Sequence, residues 1–107
     1  VEDGKLEAAK ELILEYEKIV NDDIDVYSIK GVIAIMEGKM EDAERILKEG
    51  LSKDENYFDL LYNLGYLYQY NKQNELAIEY YKKSLNSTYD EMSIDKINDI
   101  LNSIENN

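Results

Sequence analysis

The chain has 107 residues, which is enough for one small domain. Cysteine and histidine are both absent, so disulfides, zinc sites built on either residue and a cysteine nucleophile are excluded, and the commonest general base is missing. A net charge of −12 repels phosphate groups, and we therefore expect neither nucleic acid nor an anionic membrane surface as a partner.

Helix is the secondary structure predicted along the whole chain. Proline is absent and there are only 5 glycines, so few residues interrupt a helix. Apolar residues recur at helical spacing in segments that short polar turns separate. In chain order we predict helices within 1–23, near Asp25–Glu37, at Met40–Leu51, near Tyr57–Tyr70, from the polar turn Asn71–Asn74 to near Asn86, and at Ser93–Glu105.

The last of these predicted helices is amphipathic. Ile94, Ile97, Leu101 and Ile104 fall on one face, and polar residues separate them along the chain. A single amphipathic helix of this kind is expected to close the end of a helical stack, with its polar face in water.

Several columns of residues repeat with a period of 34. The pairs and triples in register are Gly4 with Gly38, Gly31 with Gly65, Ala9 with Ala43 and Ala77, and Leu47 with Tyr81. Four columns that keep one register indicate internal repeats rather than chance similarity.

The small residues in these columns have a physical use. A glycine inside a helix costs ~1 kcal/mol relative to alanine, and Gly31 and Gly65 are both placed in mid-helix. That cost is tolerated if a second helix packs against the bare backbone. Ala43 and Ala77 allow the same close approach from the second helix, so we expect all four residues to lie between paired helices.

These columns resemble the tetratricopeptide-repeat family, whose repeat is 34 residues long. The best copy is 58–91, in which Leu64, Gly65, Tyr68, Ala77 and Tyr81 are similar to the family's Leu-Gly, Tyr, Ala and aromatic positions. The resemblance implies an all-α fold in which antiparallel helix pairs stack into a right-handed superhelical solenoid.

The resemblance also implies where the repeats begin and end. Residues 1–23 correspond to the second helix of a truncated repeat, 24–57 and 58–91 to two repeats, and 92–107 to a C-terminal capping helix. Because the chain opens inside a repeat, we expect it to be excised from a longer protein.

One turn departs from the family pattern. Lys72 stands where Gly38 stands in the preceding copy, at a position where glycine supplies a left-handed backbone. We expect Asn71 or Asn74 to provide that conformation instead, because asparagine tolerates it better than lysine does.

No motif in the sequence supports catalysis or metal binding. Asn21, Asp23 and Asp25 have the spacing that opens a calcium loop, but Val26 and Val32 stand where the loop needs glycine and glutamate. We expect instead an acidic turn that caps the helix beginning near Asp25. We predict no catalytic residue, no metal site and no cofactor.

Three tyrosines form a stripe on the helix predicted near Tyr57–Tyr70. Tyr62, Tyr66 and Tyr70 follow each other at intervals of four and are turned away from the leucine-rich face of that helix. The alternative is that all of them belong to the repeat core. In the family this face lines a concave groove that holds ligand peptides, and tyrosine offers it a large area with few rotors. The predicted groove contacts are Asp25, Ser28, Val32, Ile35, Asp59, Tyr62, Asn63, Tyr66, Gln69 and Tyr70.

The family's clamp for C-terminal carboxylates is not expected here. Of its Lys, Asn, Asn, Lys and Arg positions, only the one at Asn63 matches. Ser28, Val32, Ser93 and Ile97 occupy the others.

The first hypothesis for function is a non-catalytic, cytoplasmic scaffold that binds a protein or peptide ligand, as an extended or helical segment, in this groove. The alternative is a non-catalytic appendage of a larger bacterial enzyme such as a glycosyltransferase, because the chain is rich in Ile, Asn, Lys and Tyr and is similar in this to repeats attached to such enzymes. A third hypothesis is self-association through apolar surface at the truncated N-terminal edge. The parent sequence would separate them, since a nucleotide-sugar domain upstream favours the appendage.

Overall fold

The computed structural model describes residues 6–12 and 23–106. Every regular element in these ranges is an α-helix, so the predicted all-helical fold is confirmed for this part of the chain. The helical residues 6–12 are called α1, and the others are α2 (Ile24–Met36), α3 (Met40–Leu51), α4 (Phe58–Tyr70), α5 (Asn74–Leu85) and α6 (Glu91–Glu105). The predictions that concern Gly4 and Asn21 lie outside the described residues.

The chain divides into two units, Val1–Asp54 and Glu55–Asn107. The first unit contains the hairpin of α2 and α3, preceded by α1, and the second contains the hairpin of α4 and α5, followed by α6. A short turn joins the two helices of each hairpin.

In the first unit, α1 packs against α2. Leu6 and Ala9 lie against the buried side chains of Val26 and Ile33. At the end of α2, the Lys10 ammonium donates a hydrogen bond to the Glu37 carboxylate at 2.8 Å. This bond raises the pKa of Lys10 and lowers the pKa of Glu37, so both groups stay charged around neutral pH.

The predicted glycine and alanine contacts are confirmed in both hairpins. A Cβ built on Gly31 would stand 2.6 Å from Cγ of Leu47, and one built on Gly65 would stand 2.8 Å from Cδ1 of Tyr81. Both distances are too short for carbon atoms, so only glycine allows these approaches. The alanines of the partner helices, Ala43 and Ala77, are completely buried.

The turns inside the two hairpins have the same backbone geometry. In each, the last helical turn closes with a six-to-one hydrogen bond, from Lys39 N–H to Ala34 O and from Gln73 N–H to Tyr68 O, both 2.8 Å long. This geometry needs one left-handed residue, which is Gly38 with φ 77° in the first turn.

In the second turn the left-handed residue is Lys72 itself, with φ 62°. The expectation that Asn71 or Asn74 would take this role is wrong. The closing hydrogen bonds determine which position in the turn must be left-handed, and the residue at that position adopts it whatever its type. Neighbouring asparagines cannot replace it, because Asn71 is the C-cap residue after α4 and Asn74 is the first residue of α5.

Aspartates are the N-cap residues of two helices. The Asp23 carboxylate accepts a hydrogen bond from the Asp25 N–H at 2.8 Å, so the acidic turn caps α2 as expected, through Asp23. At α6, the Asp90 carboxylate accepts from the Ser93 N–H at 3.0 Å and from the Ser93 hydroxyl at 2.7 Å. These two bonds lower the pKa of Asp90.

Buried leucines and tyrosines form the core of the second unit. The large apolar and aromatic side chains that are fully or nearly fully buried are Leu60, Leu61, Leu64, Leu67, Tyr68, Tyr81 and Ile97. Helix α6 packs against α5 and contributes Ile97, Leu101 and Ile104 to the buried set, as its amphipathic pattern predicts. Helix α4 is therefore held by α5.

Candidate functional site

The ten predicted groove residues lie on α2 and α4, and the structure separates them by burial. On α2, Ser28 and Ile35 are each only 7% exposed, whereas Asp25 and Val32 are half-buried. A partner cannot reach a buried side chain without rearrangement, so Ser28 and Ile35 are not surface contacts in this structure.

The six predicted residues on α4 are called the α4 face: Asp59, Tyr62, Asn63, Tyr66, Gln69 and Tyr70. Asp59, Tyr66 and Tyr70 are exposed, and Tyr62, Asn63 and Gln69 are half-buried. None of the six is fully buried, in contrast to the leucines on the other side of the same helix.

The period of 34 relates the burial on α2 to the burial on α4. Ser28 corresponds to Tyr62 and Ile35 to Gln69, and these are the more covered positions in each helix. Val32 corresponds to Tyr66, which is the more open position in each.

Tyr62 is the member of the tyrosine stripe that is partly in the core. Its ring stacks on Phe58 at 5.9 Å between centroids and meets the edge of Tyr81 at 5.6 Å. The Lys96 ammonium of α6 lies 5.4 Å from its centroid. The prediction that all three tyrosines turn away from the core therefore needs correction at Tyr62, because α5 and α6 both reach this end of α4.

Tyr66 and Tyr70 form the open part of the stripe. Their side chains are 45% and 61% exposed, and their rings lie 6.4 Å apart with an angle of 44° between planes. Two large aromatic rings side by side in water contribute little to the folded core. They form an exposed aromatic pair that a ligand can contact without any change in packing.

A hydrogen bond connects the core to this face. The Tyr81 hydroxyl, on a fully buried ring, donates to Oε1 of Gln69 at 2.7 Å. Burial raises the pKa of Tyr81 well above its ordinary value, and the neighbouring hydroxyls of Tyr62 and Tyr66 raise it further. Because Oε1 accepts this bond, the amide group of Gln69 is held in one orientation with its N–H groups available as donors.

Two residues that correspond to positions of the α4 face were missing from the predicted groove contacts. Lys96 lies 34 residues after Tyr62, and Ile29, which is 41% exposed, lies 34 residues before Asn63. Extending the period to every position of the face, rather than to the conspicuous tyrosines, would have found both.

Neither a metal-binding cluster nor a membrane-spanning helix is found among the described residues. Within 6–12 and 23–106, no group of three or more acidic side chains is arranged to hold a metal ion. In the same ranges, no helix combines the length and apolar character needed to span a membrane.

Each hairpin has two helices joined by a turn with one left-handed residue, and glycine and alanine columns recur at a period of 34. These features define a helical-repeat protein. A family model described as tetratricopeptide repeat matches residues 58–90, which include all of α4 and α5. The match identifies residues 58–90 as a tetratricopeptide repeat, as the resemblance implied for this part of the chain. No curated protein matches the chain. Tetratricopeptide repeats are typically non-catalytic modules that mediate protein–protein interactions.

Proposed function

We propose that this chain is a non-catalytic module that binds a peptide or helical segment of another protein on the α4 face. The observation that carries the proposal is the exposed pair Tyr66 and Tyr70 on a helix whose other side is firmly packed. Tyrosine is enriched in protein interfaces because a rigid ring and a hydroxyl are combined in one side chain.

The surroundings of the pair suit a binding surface. The close contact of Gly65 with Tyr81 holds α4 against α5, so we expect the face to change little when a ligand binds. A rigid surface loses little conformational entropy on binding. Beside the rings, the oriented amide of Gln69 offers hydrogen-bond donors to the backbone carbonyls of a ligand.

On α2 we propose a smaller set of contacts than the sequence predicts. Asp25 and Val32 stay as proposed contacts of the first unit by itself, Ile29 joins them because it is exposed, and Ser28 and Ile35 are left out because they are buried. The roles of 24–57 and 58–91 as repeats and of 92–107 as a cap remain part of the same proposal.

No contact among the described residues favours the appendage of a larger enzyme over this proposal, and none favours self-association. Both hypotheses remain predictions that the parent sequence and the oligomeric state in solution would test. A cytoplasmic location and the lack of affinity for nucleic acid and membranes also remain predictions.

The proposal is tested by selecting ligands for the purified chain from a displayed library of random ten-residue peptides. Selected peptides are expected to lose at least tenfold in affinity for the double variant Tyr66→Ala/Tyr70→Ala, because aromatic anchors typically contribute 1–3 kcal/mol each. Tyr89→Ala is the matched control, since Tyr89 is fully exposed but precedes α6 and is not on the α4 face.

Circular dichroism of each variant establishes that it is folded before affinities are compared. If the selected peptides bind the double variant and the wild type equally, the α4 face is not the binding surface.

A further inference from the structure

The faces of tyrosine rings in this protein attract ammonium groups. Nζ of Lys83 lies 4.8 Å from the Tyr80 centroid, and Nζ of Lys53 lies 5.6 Å from the Tyr27 centroid. With Lys96 over Tyr62, at 5.4 Å, this gives three lysines placed over tyrosines. Each distance is within the range of about 6 Å in which the negative face of a ring attracts a cation.

The exposed pair on the α4 face differs from these three rings. Among the described residues, no lysine or arginine lies over Tyr66 or Tyr70, although both rings are accessible. Lys96, the basic residue from α6 on this side, is already positioned over Tyr62. The two rings therefore have accessible aromatic faces, and no cation from the described part of the chain occupies them.

Charge favours a basic group at this position. The chain carries 24 acidic and 12 basic residues, and α4 contains Asp59 and no lysine or arginine. Lys72 follows in the turn after α4, and the cation–ring contacts found among the described residues involve Tyr27, Tyr62 and Tyr80. An approaching cation is attracted by the net negative charge of the chain, whereas an acidic segment is repelled.

We infer that the segment bound on the α4 face is basic and places a lysine or arginine side chain against Tyr66 and Tyr70. This inference rests on the proposed function and names the chemistry of the partner. Arginine is the better fit, because its planar guanidinium stacks on aromatic rings and can meet two of them.

The test uses the peptides selected on the wild-type chain. Those that lose affinity for Tyr66→Ala/Tyr70→Ala are expected to be enriched in arginine and lysine. In one such peptide, replacing the critical arginine by citrulline keeps the shape and removes the charge, and should weaken binding about two- to fivefold for each ring contacted.

Variants of the protein separate the charge on the ring face from simple apolar contact. Tyr66→Phe keeps an aromatic face and should bind the arginine peptide nearly as well as the wild type does. Tyr66→Leu keeps apolar area without that face and should lose about two- to fivefold for the arginine peptide. For the citrulline peptide, the phenylalanine and leucine variants should bind equally. Tyr70→Phe and Tyr70→Leu repeat the comparison at the second ring.

The outcomes distinguish this inference from the proposal on which it rests. Peptides that depend on Tyr66 and Tyr70 but contain no basic residue, or tolerate citrulline without loss, would overturn the basic partner and leave the binding surface in place. Peptides that do not depend on the pair, or a selection that yields none, would count against both.

Discussion

The ring of Tyr81 lies directly on the backbone of Gly65, with its Cδ1 atom 2.8 Å from the place of a Cβ. The same ring donates its hydroxyl to Gln69, one turn further along α4. The glycine and the hydrogen bond together position the ring, since one provides the space and the other holds the far end.

Substitutions at Gly65 should therefore destabilise the second unit in proportion to size. Gly65→Ala gains ~1 kcal/mol of helix propensity, but the added carbon would stand only 2.8 Å from the buried Tyr81 ring, and overpacking of this kind costs ~1–3 kcal/mol. We expect Gly65→Ala to be destabilised and Gly65→Leu to be destabilised more, as measured by urea denaturation. An alanine variant more stable than the wild type would show that the ring moves freely.

The hydrogen bond from Tyr81 should be visible in the pH dependence of stability. Tyr81→Phe leaves Gln69 without this donor and should lose ~0.5–1.5 kcal/mol near neutral pH. Because the pKa of Tyr81 is raised in the folded protein, its neutral form stabilises the fold below the ordinary tyrosine pKa of about 10, and this contribution is lost as the pH rises above it.

The difference in unfolding free energy between wild type and Tyr81→Phe should accordingly shrink between about pH 10 and 11. Circular dichroism in urea at several pH values measures it. Tyr89→Phe, at a fully exposed position, is the control and should show no such change. A constant difference across the range would contradict the expected coupling.

Lys72→Gly should stabilise the protein. Lysine at φ 62° is strained and glycine is not, so the substitution should gain ~0.5–1 kcal/mol after the larger entropy of glycine in the unfolded chain is counted. Asn71→Gly is the neighbouring control, because Asn71 has φ −83° and glycine there offers only the entropic loss. The two variants should move the thermal midpoint in opposite directions, and a shift of the same sign would refute the assignment.

Tyr66→Ala and Tyr68→Ala should have very different effects on folding. Tyr68 is 2% exposed and packs against Tyr80, so its truncation should cost ~3–5 kcal/mol. Tyr66 is 45% exposed and should leave the free energy of unfolding nearly unchanged. If both variants unfold at the same urea concentration, Tyr66 belongs to the core.

The stabilisation that the Asp90 carboxylate gives to the N-terminus of α6 should be lost at acidic pH. The pKa of Asp90 is lowered by its hydrogen bonds from Ser93, so its carboxylate stabilises the fold above the ordinary aspartate pKa of about 4, and this contribution is lost as the pH falls through the lower folded value. Asp90→Asn keeps a capping oxygen that does not titrate in this range. Thermal unfolding between about pH 2 and 6 should show a smaller acid-induced loss for Asp90→Asn than for the wild type. Equal losses would mean that other carboxylates determine the acid sensitivity.

The contacts that depend on residue size could be predicted from the sequence, and those that depend on a third helix could not. Gly65 and Ala77 repeat at a fixed spacing because two helices need small residues wherever they approach closely. The burial of Tyr62 depends on Lys96 and Tyr81, which come from two other helices, and its position in the stripe carries no sign of either.

The left-handed conformation of Lys72 was not predicted from the sequence, for a different reason. Residue preference favoured asparagine, but the closing hydrogen bonds of the turn determine which position is left-handed. A comparison with Gly38 by period alone, without weighing the residue type, would have given the observed result.

The hydrogen bond between Tyr81 and Gln69 also connects the tyrosine absorption of the protein to its α4 face. With 10 tyrosines and no tryptophan, its near-ultraviolet absorption comes almost entirely from phenol groups. The absorption band of a phenol shifts when its hydroxyl changes hydrogen-bond partner. A ligand that moves the Gln69 amide would alter the hydrogen bond of the buried Tyr81 hydroxyl. Binding at the α4 face would then change the ultraviolet absorption of Tyr81, and no added label would be needed to detect it.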